Sequence, residues 1–435
     1  MIDIEALLPP HKARANGAPH ILEGLVVVDF THYLAGPLAT MMLADLGAMV
    51  VKIEKPGRGD DFRYYPPMHP NLQNQGAPFV WCNRNKKGIA LDMKTQEAKQ
   101  IVEKLIAQAD IVVENFSTGA MQRLGFDYEA CKKINANIIY CSISAYGRKG
   151  EFSDRNGYDP VTQAESGFMS TNGYRDRDGV RTTTPVIDVH TGTLAYASIL
   201  AALYHRERSG QGQYIEMSLY ESAVQMTGYS GMQYLFTGKD IERNANVSPD
   251  ICPAAVFKCK DRSFYINCGN DNQFKKLVGQ VMDREDLAND PKYARGADRL
   301  ARKDELMNIL RLDFEKHPWS YWGPRIRKSG VPCGEVRRIS DQITANESKA
   351  LNIHSRVPHP QAGWIPNFAP PVSFSLTPAA DPQAPPAVGE HTDSVLKSVL
   401  GYGEDTIAQL RQQGTFGDHL AERQRTSNSE LSKTH

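Results

Sequence analysis

The chain has 435 residues, 41% of them hydrophobic and 23% charged, which is the composition of a globular protein long enough for two domains. Lysine plus arginine and aspartate plus glutamate each number 50, so no excess of positive charge favours nucleic acid or an anionic membrane as a partner. The N-terminal segment lacks the basic start and apolar core of a secretory signal, and no later segment has the uninterrupted apolar length of a membrane span, so we expect a cytoplasmic protein.

The first half of the chain alternates predicted strands with predicted helices. Short apolar runs rich in β-branched residues predict strands at 24–30, 49–54, 111–116 and 138–143. Apolar residues at helical spacing predict helices at 37–46, 95–109 and 128–134. This alternation favours an α/β fold with a Rossmann-like parallel sheet that helices cover on both faces. Ligands of such sheets bind beyond the carboxyl ends of the strands.

A nicotinamide cofactor is the first ligand to consider for such a sheet. Glu54 ends the second predicted strand, where a carboxylate that binds ribose would lie. The turn after the first strand reads Thr31-His-Tyr-Leu-Ala-Gly-Pro37, however, and lacks the G-x-G-x-x-G glycines of a dinucleotide site. The sequence therefore argues against a dinucleotide-dependent dehydrogenase.

The segment Thr184–Gly192 places Asp188 at the start of a predicted helix, ahead of the apolar, alanine-rich run 194–204. Two interpretations are open. Aspartate is among the best N-cap residues, and most such aspartates only accept hydrogen bonds from backbone N–H groups. Alternatively, those N–H groups and the positive end of the helix dipole favour an ionised carboxylate, which can act as a nucleophile.

The second half of the chain predicts a smaller α+β domain. A strand at 212–219 and a helical run to about residue 234 precede a polar linker at 239–249, β-like runs at 255–259 and 263–268, and helical patterns at 272–281 and 302–316. The proline-rich residues 358–386 predict an extended segment that returns to the first domain. The predicted domains are a large Rossmann-like domain beginning with 1–225, a small domain with linkers at 226–330, a return segment at 331–417 and a disordered tail at 418–435.

The seven cysteines indicate neither a metal site nor a disulfide framework. They are odd in number and dispersed, and none forms a C-x-x-C pair. We expect reduced thiols, no metal and no prosthetic group. The seven are Cys82, Cys131, Cys141, Cys252, Cys259, Cys268 and Cys333.

A series of short motifs runs across nearly the whole chain. They are Val28-Asp-Phe-Thr-His-Tyr-Leu-Ala-Gly-Pro37, Asp45-Leu-Gly-Ala-Met-Val-Val-Lys-Ile-Glu54, Asn85-Lys-Lys-Gly-Ile-Ala-Leu-Asp-Met-Lys94, Val113-Glu-Asn-Phe116, Gly157-Tyr-Asp159, the Asp188 segment, Arg208-Ser-Gly-Gln-Gly212, Val331-Pro-Cys-Gly334 and Gly389-Glu-His-Thr-Asp393. In content and order they resemble the class III CoA-transferase family, which includes formyl-CoA transferase, carnitine CoA-transferases and acyl-CoA racemases.

The resemblance implies a mechanism built on Asp188. In the family, the matching aspartate attacks the thioester of a donor acyl-CoA and forms an aspartyl anhydride and CoA thiolate. The thiolate then attacks the aspartyl carbonyl, which leaves an enzyme-bound CoA thioester and the free donor acid. An incoming carboxylate reverses these steps. Nearby N–H donors would stabilise the oxyanions of acyl transfer.

The resemblance also implies a CoA site. Tyr33 and Leu34, in the turn after the first strand, would lie beside the pantetheine arm. The adenine and phosphates would lie near Lys55, Leu91, Asp92, Met93, Lys94, Asn115, Phe116 and Arg123. Lysine and arginine suit this place because CoA carries a diphosphate and a 3′-phosphate. An exposed surface lysine is the alternative interpretation of Lys55 and of Lys94.

Tyr158 favours transfer over racemisation. The matching residue of the racemase branch is a histidine that exchanges the α-proton, whereas a tyrosine, with an ordinary pKa near 10, is a poor base at neutral pH. We expect Tyr158 to lie beside the thioester; the alternative is a half-buried loop tyrosine. His32 and His190 have no metal-ligand spacing, and we expect His190 to pack on its helix.

The resemblance further implies an intertwined homodimer. Formyl-CoA transferase carries a loop made only of glycines over its active site. This chain has no run of consecutive glycines between Met226 and Cys268, which argues against oxalate or formate as its natural substrate. Arg155, Arg177 and Arg181 are possible ligands of the acceptor acid, although loop arginines are more often solvated.

We therefore predict a CoA-transferase that moves CoA, with succinyl-CoA as donor, to a free dicarboxylic acid. The alternatives are an acyl-CoA racemase or hydrolase of the same family, and a CoA-binding protein without activity.

Overall fold

The computed structural model describes residues 4–13, 18–68, 71–72 and 74–417. They form two compact units. The first comprises the described residues of 1–168, 182–229 and 346–435, and the second comprises 169–181 and 230–345. The second unit thus extends beyond the predicted boundary at 330 and includes 169–181, which prediction assigned to the large domain. The predicted tail, 418–435, lies outside the described residues.

The first unit is built on a six-stranded parallel sheet. Its strands are β1 (Val26–Asp29), β2 (Met49–Glu54), β3 (Lys87–Ala90), β4 (Ile111–Glu114), β5 (Ile139–Ser144) and β6 (Tyr214–Ser218). The strand order is β3-β2-β1-β4-β5-β6, and every neighbouring pair is parallel. The α/β fold and parallel sheet predicted from the sequence are confirmed.

Apolar residues lie on both faces of this sheet. Val27 and Val50 face one core, which contains Leu43, Ala195 and Ile199 of the helices Ala35–Asp45 and Val186–Ser209. The next residue along each strand, Val28 or Val51, faces a second core built on the helices Gln96–Gln108 and Tyr128–Ile134. Burial on both faces explains why the strands are continuously apolar.

The remaining elements of the first unit are mostly short. Its other helices are Ile4–Leu7, Ala77–Cys82, Ala120–Leu124, Asp159–Glu165, Leu219–Met226, Asn346–Ala350, Thr392–Ser398 and Glu404–Gln412, with a 3-10 turn at Asp61–Tyr64. The helices Phe168–Thr171 and Gly228–Thr237 contain boundaries between the units. Part of the predicted extended segment forms an antiparallel hairpin of β10 (His354–His359) and β11 (Gly363–Phe368). Prolines are tolerated in this two-stranded sheet because both of its strands are edges.

The second unit has an antiparallel sheet of β7 (Ala254–Lys258), β8 (Ser263–Asn267) and β9 (Cys333–Glu335). Phe257, Phe264, Phe314 and Trp322 are buried against one another in its core. Its helical segments are Asp271–Lys275, Lys276–Val281, Glu285–Ala288, Pro291–Tyr293, Gly296–Ala301, Lys303–Phe314, Trp319–Ser329 and Ile339–Thr344.

One helix, Val186–Ser209, is long and apolar enough to cross a membrane by length and composition, which the sequence expectation missed. In the structure it packs closely on Ala35–Asp45, since a Cβ at Gly192 would lie 2.6 Å from the backbone oxygen of Ala35. Seven of its 24 residues are buried, and 39% of its most apolar window lies inside the protein.

Candidate active site

A cavity of about 260 Å³ opens at the carboxyl ends of β1, β4 and β5. This is the point where the strand order reverses, because β1 lies between β2 and β4, and such crevices are the usual ligand sites of open parallel sheets. The turn after β1, the turn after β4 and the loop before Asp159–Glu165 all contribute. The lining residues used below are His32, Tyr33, Leu34, Asn115, Phe116, Arg148, Asp154, Arg155, Tyr158 and Asp188.

The turn after β1 is held by side chains on both of its sides. The amide of Asn115 accepts a hydrogen bond from His32 N (2.8 Å) and donates one to His32 O (2.7 Å). Asp60 Oδ1 accepts one from Tyr33 N at 3.2 Å. Tyr33 has a φ of 63°, a conformation that a bulky aromatic residue rarely adopts. These contacts therefore stabilise a strained turn at the edge of the cavity.

Buried charges lie directly behind this turn. Lys52 Nζ donates to Thr31 O at 2.6 Å and pairs with Asp60 at 3.1 Å, and all three of these residues are fully buried. Lys86 Nζ pairs with Asp29 at 3.1 Å and also donates to Pro37 O. Lys86 is therefore part of the scaffold. Burial lowers the pKa of His32, so its imidazole is neutral at pH 7.

Asp188 lies in the first turn of Val186–Ser209, but it does not cap that helix. The N-cap residue is Pro185, and no side chain there accepts a capping bond. Instead Asp159, from a separate helix, accepts hydrogen bonds through Oδ2 from Ile187 N (2.8 Å) and Asp188 N (3.3 Å). Capping is therefore done by Asp159, and the Asp188 carboxylate lines the cavity.

The charge state of Asp188 differs from the prediction. Burial and the negative charge of Asp159 raise the pKa of Asp188 to about 7. The predicted stabilisation of its ionised form by the helix dipole is outweighed, because burial and then the second carboxylate at the same helix end, Asp159, both favour the neutral form. A carboxylate whose pKa is near neutrality is a stronger nucleophile once ionised than an exposed one, and such shifts are common at catalytic sites.

Tyr158 lies at the open side of the cavity, where it is 58% exposed. Its ring meets that of Tyr33 edge-on at 5.7 Å. Tyr33 also contacts Phe62 and Tyr65, so an aromatic cluster borders the cavity. Burial and the neighbouring Tyr158 raise the pKa of Tyr33 to about 12, which keeps the Tyr33 phenol neutral.

The structure brings only some of the predicted CoA residues together. Tyr33, Leu34, Asn115 and Phe116 line the cavity with Asp188 and Tyr158. The other predicted residues lie outside its lining. Of these, Leu91 is fully buried in the core, while Lys94 and Arg123 are exposed and Lys55 pairs with Asp61 at 3.7 Å. The Asn115 amide is already occupied by the backbone of His32.

Sequence reasoning missed several groups that shape the site. Asp159 is 29 positions from Asp188, and Asp60 is 27 positions from Tyr33, so no local pattern connects either pair. The motif Gly157-Tyr-Asp159 was the only signal for Asp159. His190 Nε2 lies 3.0 Å from Gln225 Oε1, so its ring contacts the neighbouring helix Leu219–Met226.

Comparison with known proteins gives this cavity a chemical context. A model of CoA-transferase family III matches residues 22–392. The chain belongs to CoA-transferase family III. It is 36% identical over 398 residues to the succinyl-CoA:glutarate CoA-transferase of Mus musculus, with 92% of this chain and 91% of that protein covered. It is 37% identical over 332 residues to the acetyl-CoA:oxalate CoA-transferase of Acetobacter aceti, with 76% of this chain and 84% of that protein covered.

The fold of this family III CoA-transferase is similar to that of a CAIB/BAIF family protein from Brucella suis. The TM-score is 0.79 at 32% sequence identity, and the match covers 88% of this chain and all of that chain (100%). Enzymes of this family act on CoA thioesters.

Proposed function

We propose that this enzyme transfers CoA from succinyl-CoA to a dicarboxylic acid, with Asp188 as the nucleophile. The observation that carries the proposal is the position of Asp188: its carboxylate lines the cavity at the point where the strand order reverses, and another carboxylate caps its helix. The relatives support the substrate class, since their names include succinyl-CoA:glutarate and acetyl-CoA:oxalate CoA-transferases.

The proposed reaction exchanges acyl groups between carboxylate and thiolate without water. An oxygen of Asp188 attacks the thioester carbonyl of succinyl-CoA, the C–S bond breaks, and a succinyl-aspartyl anhydride and CoA thiolate form. The thiolate attacks the aspartyl carbonyl and releases succinate, which leaves an aspartyl-CoA thioester. The acceptor carboxylate attacks that thioester and displaces the thiolate. The thiolate then attacks the acceptor carbonyl, which forms the new acyl-CoA and restores Asp188.

In this proposal Tyr33 and Leu34 contact the pantetheine arm beside Asp188, with Asn115 and Phe116 on the other side of the turn. The cavity lining supports this part of the site. Lys55, Asp92 to Lys94 and Arg123 are proposed to surround the adenine and phosphates, whereas the predicted Leu91 is fully buried in the core. Lys94 and Arg123 are exposed, and exposed cations can reach a phosphate. Tyr158 is proposed to border the thioester, and its phenol makes α-proton exchange the less favoured alternative.

We also propose that the enzyme is an intertwined cytoplasmic homodimer. The helix Gly228–Thr237 has no buried residue, yet it carries Leu235 at 76% and Phe236 at 83% exposure. An exposed apolar surface of this kind favours a protein partner. All seven cysteines are free, which suits a reducing compartment. No prosthetic group enters the proposed reaction.

The test is to incubate the enzyme with succinyl-CoA and a set of carboxylic acids and to identify new CoA thioesters by mass spectrometry. Asp188→Ala is compared with Asp154→Ala, which removes another carboxylate of the same cavity. The proposal predicts that the wild type and Asp154→Ala form a new CoA thioester of a dicarboxylic acid and that Asp188→Ala forms none. Hydrolysis or α-proton exchange without transfer would instead support the hydrolase or racemase alternative.

A further inference from the structure

Two of the described residues that line the cavity carry a permanent positive charge, Arg148 and Arg155. Two others, Asp154 and Asp188, are carboxylates. A dicarboxylic acid brings one carboxylate to react at Asp188 and a second that stays charged. Because like charges repel strongly in a partly desolvated site, the second carboxylate needs a cation.

Arg148 is not available for this purpose. Its side chain is 12% exposed, and all three of its guanidinium nitrogens are engaged within the protein. Nε donates to Ser142 Oγ at 2.8 Å, Nη1 to Phe116 O at 2.7 Å, and Nη2 to Glu114 Oε1 at 2.9 Å. Arg148 therefore stabilises the turn after β4.

Arg155 has the opposite character. Its side chain is 47% exposed, and only Nη2 is engaged, in an ion pair with Glu165. Hydrogen bonds from Nε and Nη1 are absent among the described residues. The guanidinium lies over the ring of Tyr146 at 4.7 Å, and the Tyr146 hydroxyl donates to Glu165 as well. Tyr146 and Glu165 thus hold Arg155 in place and leave one edge of its guanidinium open.

The loop that carries Arg155 passes close to Tyr146. A Cβ at Gly157 would lie 3.0 Å from both the Ala145 methyl and a ring carbon of Tyr146, so glycine lets the chain pass against Tyr146. Arg155 and Tyr158 are therefore presented from the same loop, and both line the cavity that contains Asp188. A planar guanidinium with a free edge suits bidentate binding of a carboxylate.

We propose that Arg155 binds the distal carboxylate of the dicarboxylic substrate and so selects dicarboxylates over monocarboxylates. This assignment rests on the proposed CoA-transfer function. It distinguishes Arg155 from the other two arginines considered from the sequence, Arg177 and Arg181, which are in the second unit. The same contact would bind the free carboxylate of a succinyl group carried by the donor.

The test compares glutarate with pentanoate, which has the same chain length and a single carboxylate. Arg155→Met removes the charge with little change in length, and Glu165→Gln is the matched control that breaks the ion pair but keeps the arginine. We measure the KM of glutarate and the inhibition constant of pentanoate, which requires binding but not turnover. For the donor, we measure the KM of succinyl-CoA and the inhibition constant of butyryl-CoA.

Arg155→Met is expected to raise the KM of glutarate and of succinyl-CoA by about 10- to 100-fold, because one charge-assisted contact is lost. The inhibition constants of pentanoate and butyryl-CoA should stay within about twofold of their wild-type values. Glu165→Gln should keep the preference for glutarate. If the binding of succinyl-CoA and of butyryl-CoA weakened equally, Arg155 would contact CoA itself and the assignment would be overturned. An unchanged KM for glutarate would also overturn it. If another dicarboxylic acid is the acceptor, it replaces glutarate in these measurements. If the wild type forms a new CoA thioester with none of the dicarboxylic acids, the proposed function fails and the assignment fails with it.

Discussion

At the scale of single residues, the two carboxylates Asp188 and Asp159 have different roles. Asp159 is 3% exposed and accepts hydrogen bonds from the backbone of Ile187 and Asp188. Asp188 makes no such capping contact, and its pKa rises to about 7. Asp159 therefore caps the helix end, whereas Asp188 is the nucleophile of the proposed reaction.

Replacing Asp159 is expected to change the pH dependence of catalysis. Because the Asp159 charge contributes to the raised pKa of Asp188, Asp159→Asn should move the acidic limb of kcat/KM to lower pH. Burial is the larger cause, so the limb should stay above the ordinary range of an aspartate. The variant should also lose about 1–3 kcal/mol of stability, because Gln163 donates to one oxygen of Asp159 and the helix backbone to the other, and asparagine keeps only one acceptor oxygen. If the acidic limb of the kcat/KM profile did not move, Asp159 would not influence the pKa of Asp188.

Replacing Asp188 is expected to stabilise the fold in a pH-dependent way. The folded-state pKa of Asp188 lies above its usual 3.8, so its contribution to stability is complete below pH 4 and is lost as the pH rises to about 7. Asp188→Asn should therefore raise the free energy of unfolding by on the order of 2–4 kcal/mol at pH 8, with the gain shrinking towards pH 4. Urea unfolding at several pH values measures this. A constant difference across pH would contradict the raised pKa.

At the scale of elements, the turn after β1 is the part of the site that depends most on distant residues. Asn115→Ala removes both hydrogen bonds to His32 and should cost about 1–3 kcal/mol of stability and raise the KM of acyl-CoA. Asn115→Asp is the matched control, because its carboxylate still accepts from His32 N but cannot donate to His32 O. Its loss should be intermediate. Full activity of Asn115→Ala would show that the turn keeps its shape without these bonds.

Periodicity predicted five of the six strands in the main sheet, because buried parallel strands are continuous apolar runs. It missed β3, whose sequence Lys87-Gly-Ile-Ala90 is short and includes a glycine. A helix start at Asp188 was predicted from the local sequence, whereas its role as nucleophile was predicted from the resemblance to the family. The Asp159 contact, the Asn115 contact and the buried Lys52–Asp60 pair depend on long-range folding, which no local pattern describes.

At the scale of the whole molecule, the exposed apolar helix Gly228–Thr237 is the observation that most requires a partner. We expect Leu235→Glu together with Phe236→Glu to weaken the proposed homodimer, because both residues are more than 70% exposed and a charge there would be buried on association. Lys239→Glu, an exposed change just beyond the helix, is the control. Light scattering after size-exclusion chromatography measures the mass. A variant that remains as large as the wild type would exclude this helix from the interface.

The central claim is that Asp188 carries CoA during the reaction. The most direct measurement is to mix the enzyme with succinyl-CoA, reduce it with borohydride and identify the modified peptide by mass spectrometry. An aspartyl-CoA thioester would be reduced to homoserine at position 188, and the account predicts this change in the wild type and not in Asp188→Asn. Glutarate added before the reductant should suppress it. A thioester-dependent change at another residue, or none while transfer proceeds, would contradict the account.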